Sequence, residues 1–599
     1  MTAISRLARA ATVVGIAAFV VPAGSTAWAA PSANIAPKIQ CSNMKDRTVL
    51  AAAIGLPTKG AVITSATLAP EVAPPPEKPW MGSPEHCDLT GSIAPVDSNA
   101  PSILFRISIP TMWNQETWHV GGGGMNGIIP MTANLRVQSS LPTSPSLMAQ
   151  GYAVFGSDSG HQGGGFGGPG GPGPRPAAPG GPPPSPGGTP PSPAAAGRGP
   201  GVGTGNDWIL NQEAWMNFAY EQLKKTHDAA MQVLLMMYGS KAKVSYFAGA
   251  SQGGREGLEV VTRYPGDYDG VYVAVPLAYF SSLLIDPTVK GVSQLAPGSW
   301  LPPAKSAAIH DEILRQCDAL DEVINNYIGC QKLMDPSVTK DPFAKLRCAG
   351  GADTGDNCLS DFQLATLGSF YSPVHYSYRL ANGRTDWPGW GAGMEGRGWL
   401  TTPTQPDVNN PGSFNGGIGA AAQKGRIGFS QNFNLLTLDV EKYQKQMQDL
   451  SNQLDVSEDW SAFLKKGGKV IIVTGASDYI SNPRAQMRLY DKVVALQGQS
   501  AVNKSVRYYV MPNSGHGLSG SSTKGEELPS SWEPSTALID WVEKGTAPPG
   551  AISLIGFDRA TNQPTGSRLM CRYPNYPQYT GSGPTFAASS YNCVAPQQQ

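Results

Sequence analysis

Five residues constrain this chain more than any others. Gly249-Ala250-Ser251-Gln252-Gly253 reads G-x-S-x-G and stands between a short apolar run, Val244 to Ala248, and a helical run through Arg263. A strand-to-helix turn of this kind is so tight that only small residues fit on either side of the serine. Its hydroxyl is then presented at the carboxyl edge of a sheet and at a helix N-terminus. A plain glycine-rich turn would explain the pentapeptide alone, but not its flanks. The surrounding segments continue the alternation. Ser102 to Ile109 alternates as an edge strand would, Tyr152 to Gly156 reads as a buried strand, and Asn211 to Met237 as a long helix. Tyr272 to Val275, Lys469 to Val473 and Val506 to Val510 read as further strands, with Ser535 to Lys544 as a closing helix. This pattern predicts an α/β fold, a mostly parallel sheet with helices on both faces. The rhythm is lost over residues 277–456, which predicts an inserted lid between core segments 30–276 and 457–599.

A serine needs a base, and the base needs a carboxylate to orient it. In α/β-hydrolases these follow along the chain in the order Ser, Asp or Glu, His. His516 is the only histidine beyond residue 375, just after the Val506–Val510 strand, and Asp478 ends the segment that follows Lys469–Val473. Ser251, Asp478 and His516 are therefore the candidate triad. An oxyanion hole needs backbone N–H groups converging on one point. Gln252 supplies one, and Gly121-Gly122-Gly123-Gly124, after Trp118-His119-Val120, is the source of a second, with Gly123 chosen. A phosphate loop would require a following Gly-Lys-Ser/Thr, which is missing.

The amino end carries the marks of export. Arg6 and Arg9 precede an apolar run from Ala10 to Val21, and Ala27-Trp28-Ala29 fits a signal cleavage site, so residues 1–29 are expected to be removed and the enzyme secreted. The run is too short for a good membrane span. Removal leaves 42 basic against 44 acidic residues, a net charge of −2 that gives no reason to expect nucleic acid. Eight cysteines lie in the mature chain, in sequence-local pairs 41/87, 317/330, 348/358 and 571/593. An even number in an oxidising compartment favours four disulfides, although locality is only a preference and connectivity does not follow from sequence. Of the 71 Gly and 53 Pro, many sit in residues 163–205, about two-thirds of which are Gly or Pro. With so little to bury, that segment reads as a flexible surface insertion.

Together these stretches resemble the tannase and feruloyl esterase family, which includes hydrolases of terephthalate monoesters. The resemblance rests on Gly121 to Gly124, Gly151-Tyr152-Ala153-Val154, Ser157-Asp158-Ser159-Gly160-His161, Tyr246 through Arg255, and Tyr264 to Gly270. It continues through Cys317 to Asp321, Gly475 to Asp478, and His516. It implies an α/β-hydrolase core with a large lid between the nucleophile and acid segments. The implied activity is a secreted serine esterase cleaving small esters of hydroxycinnamic, gallic or terephthalic-type acids through an acyl-enzyme. Where the family usually bridges two cysteines beside the nucleophile and the histidine, this chain has Ala250 and Gly517. The resemblance also implies structural calcium in the lid, held by the side chains of Asp318, Asp321 and Asn325 and the carbonyls of Val323 and Tyr327. One family carboxylate is an amide here, and both of the motif's glycines are absent. Trp387, Trp390 and Trp399 serve either as an aromatic acyl platform or as lid core. The same triad would serve a peptidase or acyltransferase. A non-catalytic, calcium-stabilised binding protein is the more distant alternative, and it would have no need of all three triad members.

Overall fold

The structure is a computed structural model that describes residues 34–75, 78–163, 206–318, 320, 323–395, 404–411, 417–521, 526–558 and 560–596. The signal segment, Trp399, Asp321 and, apart from Gly163, the Gly/Pro-rich segment lie outside the described residues. Twelve strands form one sheet: β1 (Thr48–Val49), β2 (Ala61–Ala69), β3 (His86–Ile93), β4 (Ile103–Pro110), β5 (Glu116–Val120), β6 (Ala153–Ser157), β7 (Val244–Ala250), β8 (Gly270–Ala274), β9 (Lys469–Gly475), β10 (Val506–Met511), β11 (Ala551–Phe557) and β12 (Pro564–Arg572). Their order is β1-β2-β3-β4-β6-β5-β7-β8-β9-β10-β12-β11. The six central strands, β6 to β10 in that order, pair in parallel. Antiparallel strands extend the sheet at both ends.

The parallel centre follows from burial on both faces. All five residues of β5, β6 and β8 are buried, so these strands read as continuous apolar runs. The outer strands differ from the sequence expectation. Ile103–Pro110 is an interior strand, with β3 and β6 as neighbours. Its alternation reflects one half-buried face rather than an edge, because β1 to β3 add three further antiparallel strands beyond it. The helix expected over Asn211 to Met237 is also interrupted. Gln212–Met216 is followed by a π turn, Asn217–Glu221, and then by α1, Gln222–Tyr238. Helix α2, Gln252–Arg263, leaves β7 with only Ser251 between them.

Residues 275–468 contribute no described strand to this sheet. They form helices including Phe280–Val292, Ser306–Cys317, Asp361–Tyr371 and Gln444–Leu454, and a two-stranded ribbon, Val374–His375 with Asp386–Trp387. This insertion is not separate from the sheet. One apolar cluster joins Phe247, Val273, Val470 and Val510 of the strands to Ile309, Leu367 and Met447 of the inserted helices. Trp387 and Trp390 belong to that cluster. Trp387 Nε1 donates to Asp286 at 3.0 Å, and Trp390 packs on Phe370 at 5.1 Å. Their rings are lid core. Disulfides join Cys41–Cys87, Cys317–Cys330, Cys348–Cys358 and Cys571–Cys593, the sequence-local pairs. Each constrains the unfolded chain and so stabilises the fold, by about 3 kcal/mol for loops of such length. Among the described residues no helix is long and apolar enough to cross a membrane.

Candidate active site

The turn between β7 and α2 has the sterics that the motif demands. Ser251 is held at φ 60°, ψ −120°, a strained conformation for a residue with a side chain. The chain folds back so closely that a methyl group on Gly249 would lie 2.1 Å from the Gly253 carbonyl oxygen. One on Gly253 would lie 2.4 Å from the carbonyl oxygen of Gly122, so the Gly121–Gly124 loop packs directly on the Ser251 turn.

Ser251 meets a histidine there. His516 Nε2 lies 2.8 Å from Ser251 Oγ, and His516 Nδ1 lies 2.9 and 3.1 Å from the two oxygens of Asp478. Asp478 is fully buried, and its carboxylate accepts the N–H groups of Ile480 and Ser481 at 2.9 and 3.1 Å and the Ser481 hydroxyl. The loops after β9 and β10 are laced together, Ser477 N–H donating to Ser514 O at 3.0 Å and Ala476 N–H to Met511 O at 3.0 Å. Adjacent parallel strands thus deliver acid and base to the same sheet edge as the serine. Asn482 Nδ2 ties the acid loop to the insertion through the carbonyls of Pro388 and Gly389 at 3.2 and 3.3 Å.

The glycine loop sorts itself by its hydrogen bonds. Gly121 N–H donates to Ala248 O at 2.9 Å and Gly122 N–H to Glu256 at 3.0 Å, so both are committed to the scaffold. Gly123 N–H donates to no group among the described residues, and its carbonyl accepts Asn126 N–H at 2.9 Å, closing a turn. The N–H groups of Gly123, the residue chosen from sequence, and of Gly124 are thus both without an acceptor among the described residues. His161, part of the motif after β6, supports the same loop: its Nε2–H donates to Met125 O at 2.9 Å, while its ring stacks on Trp208 at 3.7 Å. Burial holds the His161 imidazole down at about 4, so it stays neutral.

Two features escaped the sequence reading. The first is a buried apolar cluster of Met125, next to the glycine loop, with Trp208, Phe218, Leu277 and Phe280, against which Ile480 of the acid loop packs. Its members come from four separate stretches of chain, so no local pattern announces it. The second is the charge beneath α2, where Arg255, Glu256 and Glu259 are all fully buried. Burial pushes the Glu256 carboxyl up to about 7, while Arg255 and the donors of Asn126, Gly122 and Gln222 pull it down. Of the residues in the proposed calcium loop, Asp318 follows the helix Ser306–Cys317, and its carboxylate accepts Val323 N–H at 2.9 Å. Val323 and Tyr327 are buried, and Asn325 lies between them.

A parallel sheet centre, a serine at the strand-to-helix turn after β7, and an aspartate and a histidine on the loops after β9 and β10 define an α/β-hydrolase. Residues 87–168 and 199–594 match the pattern of the family described as tannase and feruloyl esterase. An uncharacterised esterase of Agrobacterium fabrum is 31% identical over 571 residues, covering 92% of this chain and 93% of that protein. The mono(2-hydroxyethyl) terephthalate hydrolase of Piscinibacter sakaiensis is 24% identical over 562 residues, covering 86% and 85% of the two chains. Among solved structures, an esterase from Aspergillus oryzae superposes with a TM-score of 0.66 at 21% identity, covering 93% of this chain and all of that one. Feruloyl esterase B from the same organism superposes with a TM-score of 0.64 at 19% identity, covering 90% and 98%; at such identities these two show the shared fold. The chain belongs to the tannase and feruloyl esterase family, and it is a carboxylic ester hydrolase.

Proposed function

We propose that the protein is a secreted serine esterase for small esters of aromatic carboxylic acids, working through Ser251, His516 and Asp478. The observation that carries this reading is the imidazole of His516 bridging Ser251 Oγ at 2.8 Å and Asp478 at 2.9 Å. His516 Nε2 takes the Ser251 proton as Oγ attacks the ester carbonyl carbon, and Asp478 holds Nδ1–H and balances the imidazolium that forms. The carbonyl oxygen becomes an oxyanion, received by the N–H groups of Gln252 and Gly123. The imidazolium returns the proton to the alcohol oxygen as the C–O bond breaks, leaving an acyl-Ser251. Water then attacks the acyl carbon, losing its proton to His516, and the tetrahedral species expels Ser251 Oγ, which recovers that proton as the free acid departs. The relative named for a terephthalate ester and several named as probable feruloyl esterases support that substrate class. The signal-like segment at residues 1–29 and the four disulfides support export. The test is release of acid from methyl ferulate, methyl gallate and a terephthalate monoester, with Ser251→Ala as control. No turnover of any of the three by the wild type rejects the assignment.

Two finer points belong to the same proposal. Calcium would be held by Asp318, Asp321 and Asn325 with the carbonyls of Val323 and Tyr327, where it would brace the loop that the Cys317–Cys330 bridge spans. The donors suit a hard cation. Millimolar Ca²⁺ should then raise the melting temperature by several degrees over an EDTA-treated sample, since a ligand that binds only the native state stabilises it by about 2.7 kcal/mol at a hundredfold excess over Kd. An unchanged melting temperature removes calcium from the account. Ala250 and Gly517 flank Ser251 and His516, so the dyad is held by packing and hydrogen bonds, without a thiol at either position. The double variant Ala250→Cys with Gly517→Cys should form a bridge. Two free thiols found by mass spectrometry in the folded protein would contradict the closeness of the two loops.

A further inference from the structure

We propose that Glu256 is the positioning residue of the oxyanion loop, clamping both ends of the turn that presents the Gly123 amide to the carbonyl oxygen attacked by Ser251. This inference rests on the esterase reading above and deepens it. One Glu256 oxygen accepts Gly122 N–H at 3.0 Å, and the other accepts the side-chain amide of Asn126. Residues 122 and 126 bracket Gly123, and the turn between them is closed by Asn126 N–H donating to Gly123 O at 2.9 Å. A single carboxylate therefore fixes the loop on either side of Gly123, whose amide has no acceptor among the described residues.

The origin of that carboxylate matters as much as its contacts. Glu256 lies on α2, the helix that Ser251 precedes, so the group that sets the loop rides on the element that sets the nucleophile. Donor and nucleophile are then held to one rigid body, and a hydrogen-bond donor stabilises a developing oxyanion only when it is aimed beforehand. Gln222 of α1 completes the clamp: its Nε2 donates to Glu256 at 3.3 Å, and its Oε1 accepts the Ser157 hydroxyl at 2.6 Å. The side chain of Glu256 is completely buried, and the neighbouring Arg255 directs its guanidinium to Gln252, Glu259 and backbone carbonyls instead. Burying a carboxylate with no cation at hydrogen-bond distance is costly. The three donors that satisfy it include both anchors of the glycine turn. An apolar residue would fill the same space but would leave Gly122 and Asn126 free.

The test compares turnover of an aromatic oxoester and its thionoester, in which sulfur replaces the carbonyl oxygen. Oxyanion donors stabilise O⁻ far better than a large, weakly accepting sulfur. In Glu256→Leu and in Asn126→Ala, kcat on the oxoester should fall by about 10²-fold with KM little changed, and the oxo-to-thiono rate ratio should fall by at least about tenfold. Glu256→Gln should keep the ratio within about threefold of wild type, because its oxygen can accept Gly122 N–H while its NH₂ meets a turned Asn126 amide. Loss of packing alone would lower both rates together and leave the ratio unchanged, and that result in either variant overturns the proposal. Asn126→Ala decides if Glu256→Leu does not fold. A wild type that turns over neither ester refutes the esterase reading itself, which is a distinguishable failure.

Discussion

Ser251→Ala should lower kcat on an aromatic ester by about 10⁴- to 10⁶-fold while leaving the melting temperature within a degree or two of wild type. The size follows from the unity of the triad: removing the nucleophile costs nearly as much as removing all three groups, because base and acid have nothing left to act upon. The small effect on stability follows from what the hydroxyl touches. Its recorded bond is to His516 Nε2, a side chain that is 21% exposed, and not to the buried scaffold. Alanine keeps the Cβ, so the strained turn is neither relieved nor worsened. Stopped assays with enzyme in excess would expose contaminating esterase. A variant retaining more than about a hundredth of wild-type activity would mean that another residue carries the chemistry.

Arg255→Met should be the most destabilising of the substitutions considered, by about 3–5 kcal/mol. The guanidinium is fully buried and donates to Gln252 Oε1 at 2.9 Å, to the carbonyls of Ala219 and Phe218 at 2.8 and 3.1 Å, and to Glu259 at 3.3 Å. Those acceptors lie on α2 itself and on the π turn before α1, so one side chain pins the helix behind the nucleophile to its neighbour. Methionine fills the volume but removes the donor from the carbonyls of Ala219, Phe218 and Leu454 and from the Gln252 amide oxygen, with Glu259 keeping Arg263 at 2.6 Å. Arg255→Lys should recover little of the loss, since a point charge cannot serve acceptors spread around a planar fork. The urea midpoint is the measurement. A loss below about 1 kcal/mol would show that water or local repacking replaces these bonds.

How much of this could be read beforehand differs by residue. Ser251 was legible because the turn's sterics are local: small residues two positions either side of a serine, after a strand and before a helix, have few other uses. Asp478 and His516 were legible through order along the chain, with few histidines to choose from. Gly123 was chosen among four glycines, and the hydrogen bonds of Gly121 and Gly122 commit those two to the scaffold and leave Gly123 and Gly124. Ser102 to Ile109 was misplaced at an edge because strand alternation reports one covered face and says nothing of how many strands lie beyond. Arg255 ended the family motif and Glu256 follows it, yet charged residues on a helix ordinarily face water. Nothing in their spacing reveals that α2 turns them inward.

The sequence by itself determined the class of fold, the turn that holds Ser251 and the order along the chain of Ser251, Asp478 and His516, because each of these depends on covalent neighbours and on the succession of strands and helices. The tertiary structure alone decided which amides of the glycine loop are committed to the scaffold, which aromatic residues cluster beside the acid loop, and which charges are buried behind Ser251. Those outcomes are set by packing between segments tens to hundreds of residues apart, where a hydrogen bond such as Gly122 to Glu256 spans 134 positions of sequence and leaves no periodic trace in it.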